Sequence, residues 1–200
     1  MTVHAERELK ARLTGPVEEV HRRLAEAGWE LVQEGEMSDR LVDTPDGRLL
    51  AADHVLRVRR IRVAPGTAAG AEHVVLTWKG PTRYENGFKV RDELETGAGD
   101  ASVILALLAR LGFSRVAMAI DRRFAVYETE SVHVRIEQYP DMDTLIEIEG
   151  EPDAIERRCA DVGLPRSSWV PWTLHEFVKR YEARTGRRAR LTNGEPGVRD

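Results

Sequence analysis

The sequence predicts an α+β fold: a closed, eight-stranded, mainly antiparallel β-barrel with a charged interior and helices covering its outside. Two observations lead to this prediction. About eight segments alternate apolar and polar residues between Gly, Pro, Asp or Asn, which is typical of antiparallel strands. Nearly every polar position in these segments is ionic, with both signs of charge, whereas the outer faces of a β-sandwich usually mix small polar residues. A barrel with helices on an apolar exterior brings the ionic faces together around a tunnel.

The predicted strands lie at residues 4–13, 38–43, 54–63, 72–79, 87–95, 117–127, 131–138 and 144–149. Residues two apart in a strand share one face of the sheet. A charged face on a single strand is usually the solvated face of a half-buried sheet, but here charged faces recur from strand to strand. The polar faces, in chain order, are Glu6, Glu8 and Lys10; Arg57 and Arg59; Thr77 and Lys79; Lys89, Arg91, Glu93 and Glu95; His133, Arg135 and Glu137; and Glu147 and Glu149.

Four helices are predicted between and after these strands. The first runs from about Pro16 to Ala27, the second follows Asp100 and ends at Gly112, and the third begins after Pro152 and stops at Gly163. The fourth opens with a capping box, Thr173 to Glu176, and runs toward Thr185. Residues 1–186 are expected to form a single domain, in which the C-terminal helices, 152–186, cover the barrel. Residues 187–200 are polar and are expected to be a flexible tail.

Composition excludes several classes of protein. Of the 200 residues, 42% are hydrophobic, which is too many for a disordered or collagen-like chain. The 30 Lys and Arg nearly balance the 34 Asp and Glu, which argues against nucleic acid or a membrane surface as a partner. Cys159 is the single cysteine, the N-terminus is charged, and the longest apolar stretch, 103–109, is too short to span a membrane. We therefore expect a soluble, cytoplasmic protein.

The charged tunnel itself predicts ligands. Burying an unpaired ion costs several kcal/mol, so a lining of mixed charge is expensive unless something neutralises it. A polyanion would suit the Arg and Lys side chains, and a divalent metal ion would suit the carboxylates.

Six short motifs carry a family resemblance. In chain order they are Glu6-Arg-Glu8-Leu-Lys10, Asp43-Thr44-Pro45, Leu56-Arg57-Val58-Arg59, Thr77-Trp-Lys79-Gly-Pro81, Arg91-Asp-Glu93 and Glu147-Ile-Glu149-Gly150. In order and approximate spacing, over positions 6 to 150, they resemble the CYTH superfamily. This is the family of triphosphate tunnel metalloenzymes, which includes class IV adenylyl cyclases, thiamine triphosphatases and tripolyphosphatases.

The resemblance implies a role for each matched residue. Mg²⁺ or Mn²⁺ is expected on Glu6, Glu8, Glu147 and Glu149, whose oxygens are hard ligands. A small-molecule triphosphate is expected on Lys10, Arg57, Arg59, Lys79, Arg91 and Arg122, because guanidinium groups bind two phosphate oxygens at once. Lys79, Glu93 and Glu137 are the predicted catalytic residues, with one of the two carboxylates as general base.

The sequence also departs from the family pattern. Leu41 and Val42 precede the Asp-Thr-Pro motif, where many relatives carry aromatic residues, and Phe124 stands where a second basic residue often occurs. The leading hypothesis is metal-dependent triphosphate hydrolysis. The alternatives are adenylyl cyclase activity, which would make cyclic AMP and pyrophosphate from ATP, and binding of polyphosphate or nucleotide without turnover. Relatives occur as monomers and as dimers, so either state is expected.

Overall fold

The computed structural model describes residues 4–65, 72–129 and 131–193, and nine strands and five α-helices lie within these ranges. The strands are β1 (His4–Arg12), β2 (Glu30–Asp43), β3 (Val55–Val63), β4 (Glu72–Lys79), β5 (Arg83–Glu85), β6 (Phe88–Ala98), β7 (Arg115–Glu128), β8 (Val132–Gln138) and β9 (Leu145–Gly150). The helices are α1 (Val17–Glu26), α2 (Arg48–Ala51), α3 (Ala101–Arg110), α4 (Pro152–Arg158) and α5 (Leu174–Thr185).

Eight of the strands close into an antiparallel barrel, as predicted. Around the barrel the order is β1-β9-β8-β7-β2-β3-β4-β6, and pairing of β6 with β1 completes the circle. The ninth strand, β5, is an addition outside this circle; among the strands of the described ranges it pairs with β6 alone, as the other arm of a hairpin. The first strand is the closing element, because Glu8 lies opposite Glu149 of β9 on one side and opposite Lys89 of β6 on the other.

The alternation of each strand separates an apolar exterior from a charged lumen. One core lies outside the barrel, where α1 and α4 pack Leu24 and Ile155 against Leu9, Val134 and Ile148. A second core forms where Leu108 of α3 packs on Val42, Val58 and Val74. Both cores cover the outer faces of strands. Along each strand, the residues that alternate with these core residues therefore point into the lumen.

A third apolar cluster lies inside the lumen. It consists of Met37, Ile61, Val63 and Phe124, all buried, with Val75 and Val126 packed against it. Met37 shares its strand face with Asp39, Ile61 with Arg59, and Phe124 with Arg122, so the cluster occupies the same side of the wall as the charges. The interior is therefore charged over most of its lining and apolar along part of β2, β3 and β7.

Three details of the predicted elements differ from the structure. The second strand begins at Glu30 instead of residue 38, because a bulge near Leu31 and a glycine interrupt the alternation that would have marked it. That glycine, Gly35, has φ of 157°, and a Cβ on it would lie 2.0 Å from the carbonyl oxygen of Arg62. The predicted third helix, to Gly163, ends as α4 at Arg158. The structure also contains α2 and β5, which were not predicted, because four and three residues are too few to show a periodic pattern.

The C-terminal part of the chain lies against the barrel. The Thr173 hydroxyl accepts a hydrogen bond from the backbone N–H of Glu176, as a capping box requires. Beyond α5, Arg187 forms an ion pair with Asp141, and the backbone N–H of Asp121 donates to the carbonyl of Leu191. Arg187, Arg190, Leu191 and Asn193 of the predicted flexible tail are thus hydrogen-bonded to Asp141 or Asp121, and 194–200 lie outside the described residues. Within the described ranges, none of the helices has the length and apolar character needed to cross a membrane.

Candidate functional site

Three buried carboxylates converge where the first and last strands meet. Glu6, Glu8 and Glu147 each offer an oxygen atom, and these three oxygens lie within 4.8 Å of one another. The antiparallel pairing of β1 with β9 brings them together, since Lys10 lies opposite Glu147 and Glu8 opposite Glu149. A compact group of carboxylate oxygens is the donor set that hard divalent cations prefer, so these residues fit a metal ion.

The fourth predicted metal ligand, Glu149, lies beside this cluster and is half-buried. Its burial and the nearby carboxylates of Glu6 and Glu147 raise the pKa of Glu149 to about 8. The same closeness of like charges that makes a proton favourable there also makes a cation favourable. Three of the four predicted metal ligands therefore form one cluster, and the fourth adjoins it electrostatically.

Cationic side chains are interleaved with these carboxylates. The Nζ of Lys10 forms ion pairs with Glu8, at 2.7 Å, and with Glu147, while Lys79 pairs with Glu6. Burial alone would raise the pKa of Glu8, but the charges of Lys10 and Lys89 hold it well below its usual value. Burial would likewise lower the pKa of Lys10, yet Glu147 and Glu8 raise it above its ordinary value. Glu8 and Lys10 are therefore both ionised.

Across the lumen, three arginines gather around one aspartate. Asp39 accepts two hydrogen bonds from Arg59, at 2.7 and 2.8 Å, and one from Arg122, at 3.1 Å. The Nη1 of Arg57 lies 4.0 Å from the same carboxylate. All three arginines were predicted to bind triphosphate, and the structure brings them together. The sequence did not indicate Asp39, because Met37 and Leu41 flank it on its face of β2 and no ionic stripe marks that strand.

Arg57 has an unsatisfied donor in the lumen. Its Nη2 donates to the hydroxyl of Thr77 at 3.0 Å and lies 3.8 Å from Glu93. Its Nε is buried and has no hydrogen-bond partner among the described residues. Burial and the neighbouring Arg59 lower the pKa of Arg57 to about 10. A buried guanidinium with an unused N–H is a favourable partner for an anion.

The two predicted general bases have different surroundings. Glu137 accepts hydrogen bonds from Arg122 at 2.7 Å, Arg135 at 3.2 Å and the hydroxyl of Tyr139 at 2.6 Å. Burial would raise its pKa, but the two arginines hold the pKa of Glu137 far below its usual range. A carboxylate so stabilised is a weak proton acceptor, which argues against Glu137 as the base. Glu93 forms an ion pair with Lys79, at 3.2 Å, and lies near Arg57.

Two residues of the recognised motifs contact backbone instead of lumen charges. Arg91 faces Glu6 in the strand register, but its guanidinium donates to the carbonyl oxygens of Gly80, at 2.6 Å, and Asp53. It therefore ties the ends of two loops together. The carboxylate of Asp43 accepts from the backbone N–H groups of Thr44, Leu49 and Leu50, which organises the turn before and within α2.

Ion pairs link side chains from seven of the eight barrel strands, all but β4, into an open chain of alternating charge, here called the ion-pair ring. Its members, each paired with the next, are Lys89, Glu8, Lys10, Glu147, Arg135, Glu137, Arg122, Asp39 and Arg59. Lys89 and Arg135 were placed on polar strand faces by the sequence but were given no role. A cavity of about 160 Å³ opens beside the ring, lined by Val126, His133, Arg135, Glu147 and Glu149.

Solved structures of similar shape come from several organisms. The PH1012 protein of Pyrococcus horikoshii OT3 has 22% identity and a TM-score of 0.68, covering 86% of this chain and 98% of that one. A putative adenylate cyclase from Vibrio parahaemolyticus has 16% identity and a TM-score of 0.71, covering 89% and 99%. At these identities the likeness shows the fold alone.

A third structure is that of HpAC1 from Hippeastrum, described as a putative adenylyl cyclase with a dominant triphosphatase activity. It has 20% identity and a TM-score of 0.58, and the match covers 93% of this chain and 98% of that one. No curated protein matches the chain. A family model, described as the CYTH domain, matches residues 4–158, which include every strand of the barrel and every candidate site residue. By this match, together with the closed barrel and its charged lumen, the chain belongs to the CYTH domain family.

Proposed function

We propose that this protein is a metal-dependent phosphohydrolase that cleaves a linear triphosphate in the lumen of the barrel. One observation carries the proposal: Lys10 contacts two members of the carboxylate cluster, Glu8 and Glu147, at the same time. The candidate metal ligands and the candidate phosphate ligands are therefore adjacent in one lumen, as hydrolysis of a metal-bound polyphosphate requires.

The basic side chains would bind and orient the substrate. Arg57 and Arg59 lie on β3 and Arg122 lies on β7, the two strands that flank β2. Lys79 lies on β4, next to β3, and Lys10 lies on β1, on the other side of the barrel. Guanidinium and ammonium groups in a buried lumen neutralise phosphate oxygens strongly, because water does not screen them there. Arg91 contributes chiefly by holding the loops at Asp53 and Gly80.

Glu6, Glu8, Glu147 and Glu149 would hold Mg²⁺ or Mn²⁺, which when bound supplies positive charge to the phosphate oxygens and lowers the pKa of water. Glu93 is the candidate for the carboxylate that accepts the proton of the attacking water. Its ion pair with Lys79 would orient it. Water oxygen bonds to a terminal phosphorus, the bridging P–O bond breaks, and orthophosphate and diphosphate result.

A substrate panel tests the proposal. Tripolyphosphate, thiamine triphosphate and ATP are each incubated with the protein and with Mg²⁺ or Mn²⁺, and the phosphorus products are resolved by ³¹P NMR. Orthophosphate from at least one triphosphate, suppressed by a chelator, is expected. No release from any of them with either metal would refute the proposal.

The same experiment separates the two other candidate functions. Adenylyl cyclase activity would give cyclic AMP and pyrophosphate from ATP, because the ribose 3′-hydroxyl attacks the α-phosphate. A binding protein would hold the triphosphate without forming any product. The cytoplasmic location and the state of monomer or homodimer stay predictions, as does the absence of nucleic-acid and membrane partners.

A further inference from the structure

Asp39 lies at the centre of the arginine side of the lumen. It belongs to β2, which pairs with β7 on one side and with β3 on the other, and both of those strands carry arginines toward the lumen. Its side chain is almost completely buried, with a relative exposure of 2% for the residue. The residues that flank it on the same face, Met37 and Leu41, are apolar. Asp39 is therefore the acidic group that β2 contributes to the lumen.

The contacts of Asp39 hold specific edges of two guanidinium groups. Arg59 donates through Nε and Nη2, which is a bidentate contact with both carboxylate oxygens. Arg122 donates through Nη1 to Asp39 and through Nε to Glu137. Both arginines are thus held by defined N–H groups, and a bidentate contact of this kind sets the plane and direction of the guanidinium.

Electrostatics also require an acid at this position. Three guanidinium groups in a buried lumen repel one another, and the lowered pKa of Arg57 reflects burial followed by the charge of Arg59. Burial would raise the pKa of Asp39, but Arg122 and Arg59 hold it far below its usual value, so it is ionised at any physiological pH. Its negative charge keeps Arg57, Arg59 and Arg122 near one another.

We infer that Asp39 is the positioning residue of the triphosphate site: it gathers and orients Arg59 and Arg122, and by charge Arg57, so that their other donors meet the phosphates. The inference rests on the proposed function, because it assigns these arginines to triphosphate. Asp39 itself is not a phosphate ligand, since two anions would repel each other.

Replacement by asparagine tests this role. Asp39→Asn keeps the shape of the side chain, removes its charge, and places an N–H₂ group where two arginines donate. A hydrogen bond to a charged group contributes enough that affinity for inorganic triphosphate should fall about tenfold or more. Binding is measured by titration calorimetry with Mg²⁺ in a Glu147→Gln background, in which turnover should be about 100-fold slower or more. The matched control, Asp121→Asn, removes an aspartate–arginine pair from the outside of the same two strands and should bind normally.

Steady-state kinetics in the otherwise unchanged protein separate positioning from simple damage to the fold. Bound triphosphate brings its own negative charge to the arginines, so saturation should restore much of the rate. We expect KM of Asp39→Asn to rise about tenfold and kcat to change by less than about threefold. A variant that is merely less well folded has fewer active molecules, which lowers kcat and leaves KM unchanged.

Each outcome is decisive. Equal or tighter triphosphate binding by Asp39→Asn overturns the inference and leaves the proposed function standing. Absence of binding by the protein that retains Asp39 overturns both. Binding without turnover in the unchanged protein refutes the proposed function, and the calorimetric comparison still decides the role of Asp39. If Asp39→Asn does not fold, Asp39→Glu, which moves the charge by one methylene group, should bind a few-fold more weakly, and unchanged affinity would overturn the inference.

Discussion

Glu8 and Glu149 lie directly opposite each other in the pairing of β1 with β9, so two carboxylates share one side of the barrel wall. Like charges opposite each other destabilise a sheet, and Lys10 and Lys89 offset the charge of Glu8. Glu149 has no ion pair of this closeness among the described side chains. Burial, followed by the charges of Glu6 and Glu147, therefore raises the pKa of Glu149.

This pKa predicts how stability depends on pH in the metal-free protein. The folded state binds a proton at Glu149 with a pKa of about 8, compared with 4.5 ordinarily, so it binds that proton more tightly than the unfolded state does. Stability from this group is therefore full below about pH 4.5 and is lost as the pH rises through about 8. Thermal unfolding in a chelator, between pH 5 and about 9, should show a decline in Tm that Glu149→Gln reduces. The exposed Glu151→Gln serves as control, and an identical decline in all three proteins would contradict the prediction.

Substitution of a cluster carboxylate should separate catalysis from anion binding. Glu147→Gln keeps the size of the side chain but removes one of the three converging carboxylates. Loss of even an outer partner of a metal site typically costs 10–100-fold, so we expect turnover to fall about 100-fold or more. Much of the affinity for triphosphate should remain, because the arginines across the lumen are untouched. Rates and calorimetric affinities are measured with Glu128→Gln as control, and unchanged turnover would refute the metal role of Glu147.

The Asp43 carboxylate should matter for stability and little for chemistry. It accepts hydrogen bonds from three backbone N–H groups, so Asp43→Ala leaves buried donors without partners and should cost about 2–3 kcal/mol. Denaturant unfolding measures this loss, with the exposed Asp46→Ala as the comparison. The KM of the folded Asp43→Ala protein should equal that of the unchanged protein. A large rise in KM with unaltered stability would show that Asp43 belongs to the binding site.

Phe124 should behave as a core residue although it lies inside the lumen. It is 4% exposed and packs with Met37, Ile61 and Val63. Phe124→Ala should therefore lower the free energy of unfolding by about 3–5 kcal/mol, as truncation of a buried aromatic ring does. Phe124→Leu, which keeps most of the apolar volume, should cost less than half as much. Denaturant titration gives both values, and a negligible effect of Phe124→Ala would mean that the cluster is solvated.

The barrel and much of the site could be predicted because they depend on strand alternation. Glu6, Glu8 and Lys10 follow one another at a spacing of two, which placed them on one face of a strand. The family resemblance assigned Glu147 to the same site, and the side chains converge with it in the structure. Asp39 could not be found in this way, since its importance comes from arginines on two other strands. Arg91 illustrates the same limit: its motif was recognisable, but its contacts with the backbone at Gly80 and Asp53 depend on how distant loops meet.

The ion-pair ring has a consequence for the thermodynamics of ligand entry. Because the cations and carboxylates of the ion-pair ring are already paired with one another, a ligand that binds in the lumen replaces an existing ion pair and does not meet unpaired charges. An anion that takes Lys10 from Glu8 and Glu147 leaves those carboxylates available to a cation, and a cation on them leaves Lys10 available to an anion. Each ligand removes a competitor of the other, so the affinities of metal and polyphosphate should rise together, by the same factor in both directions.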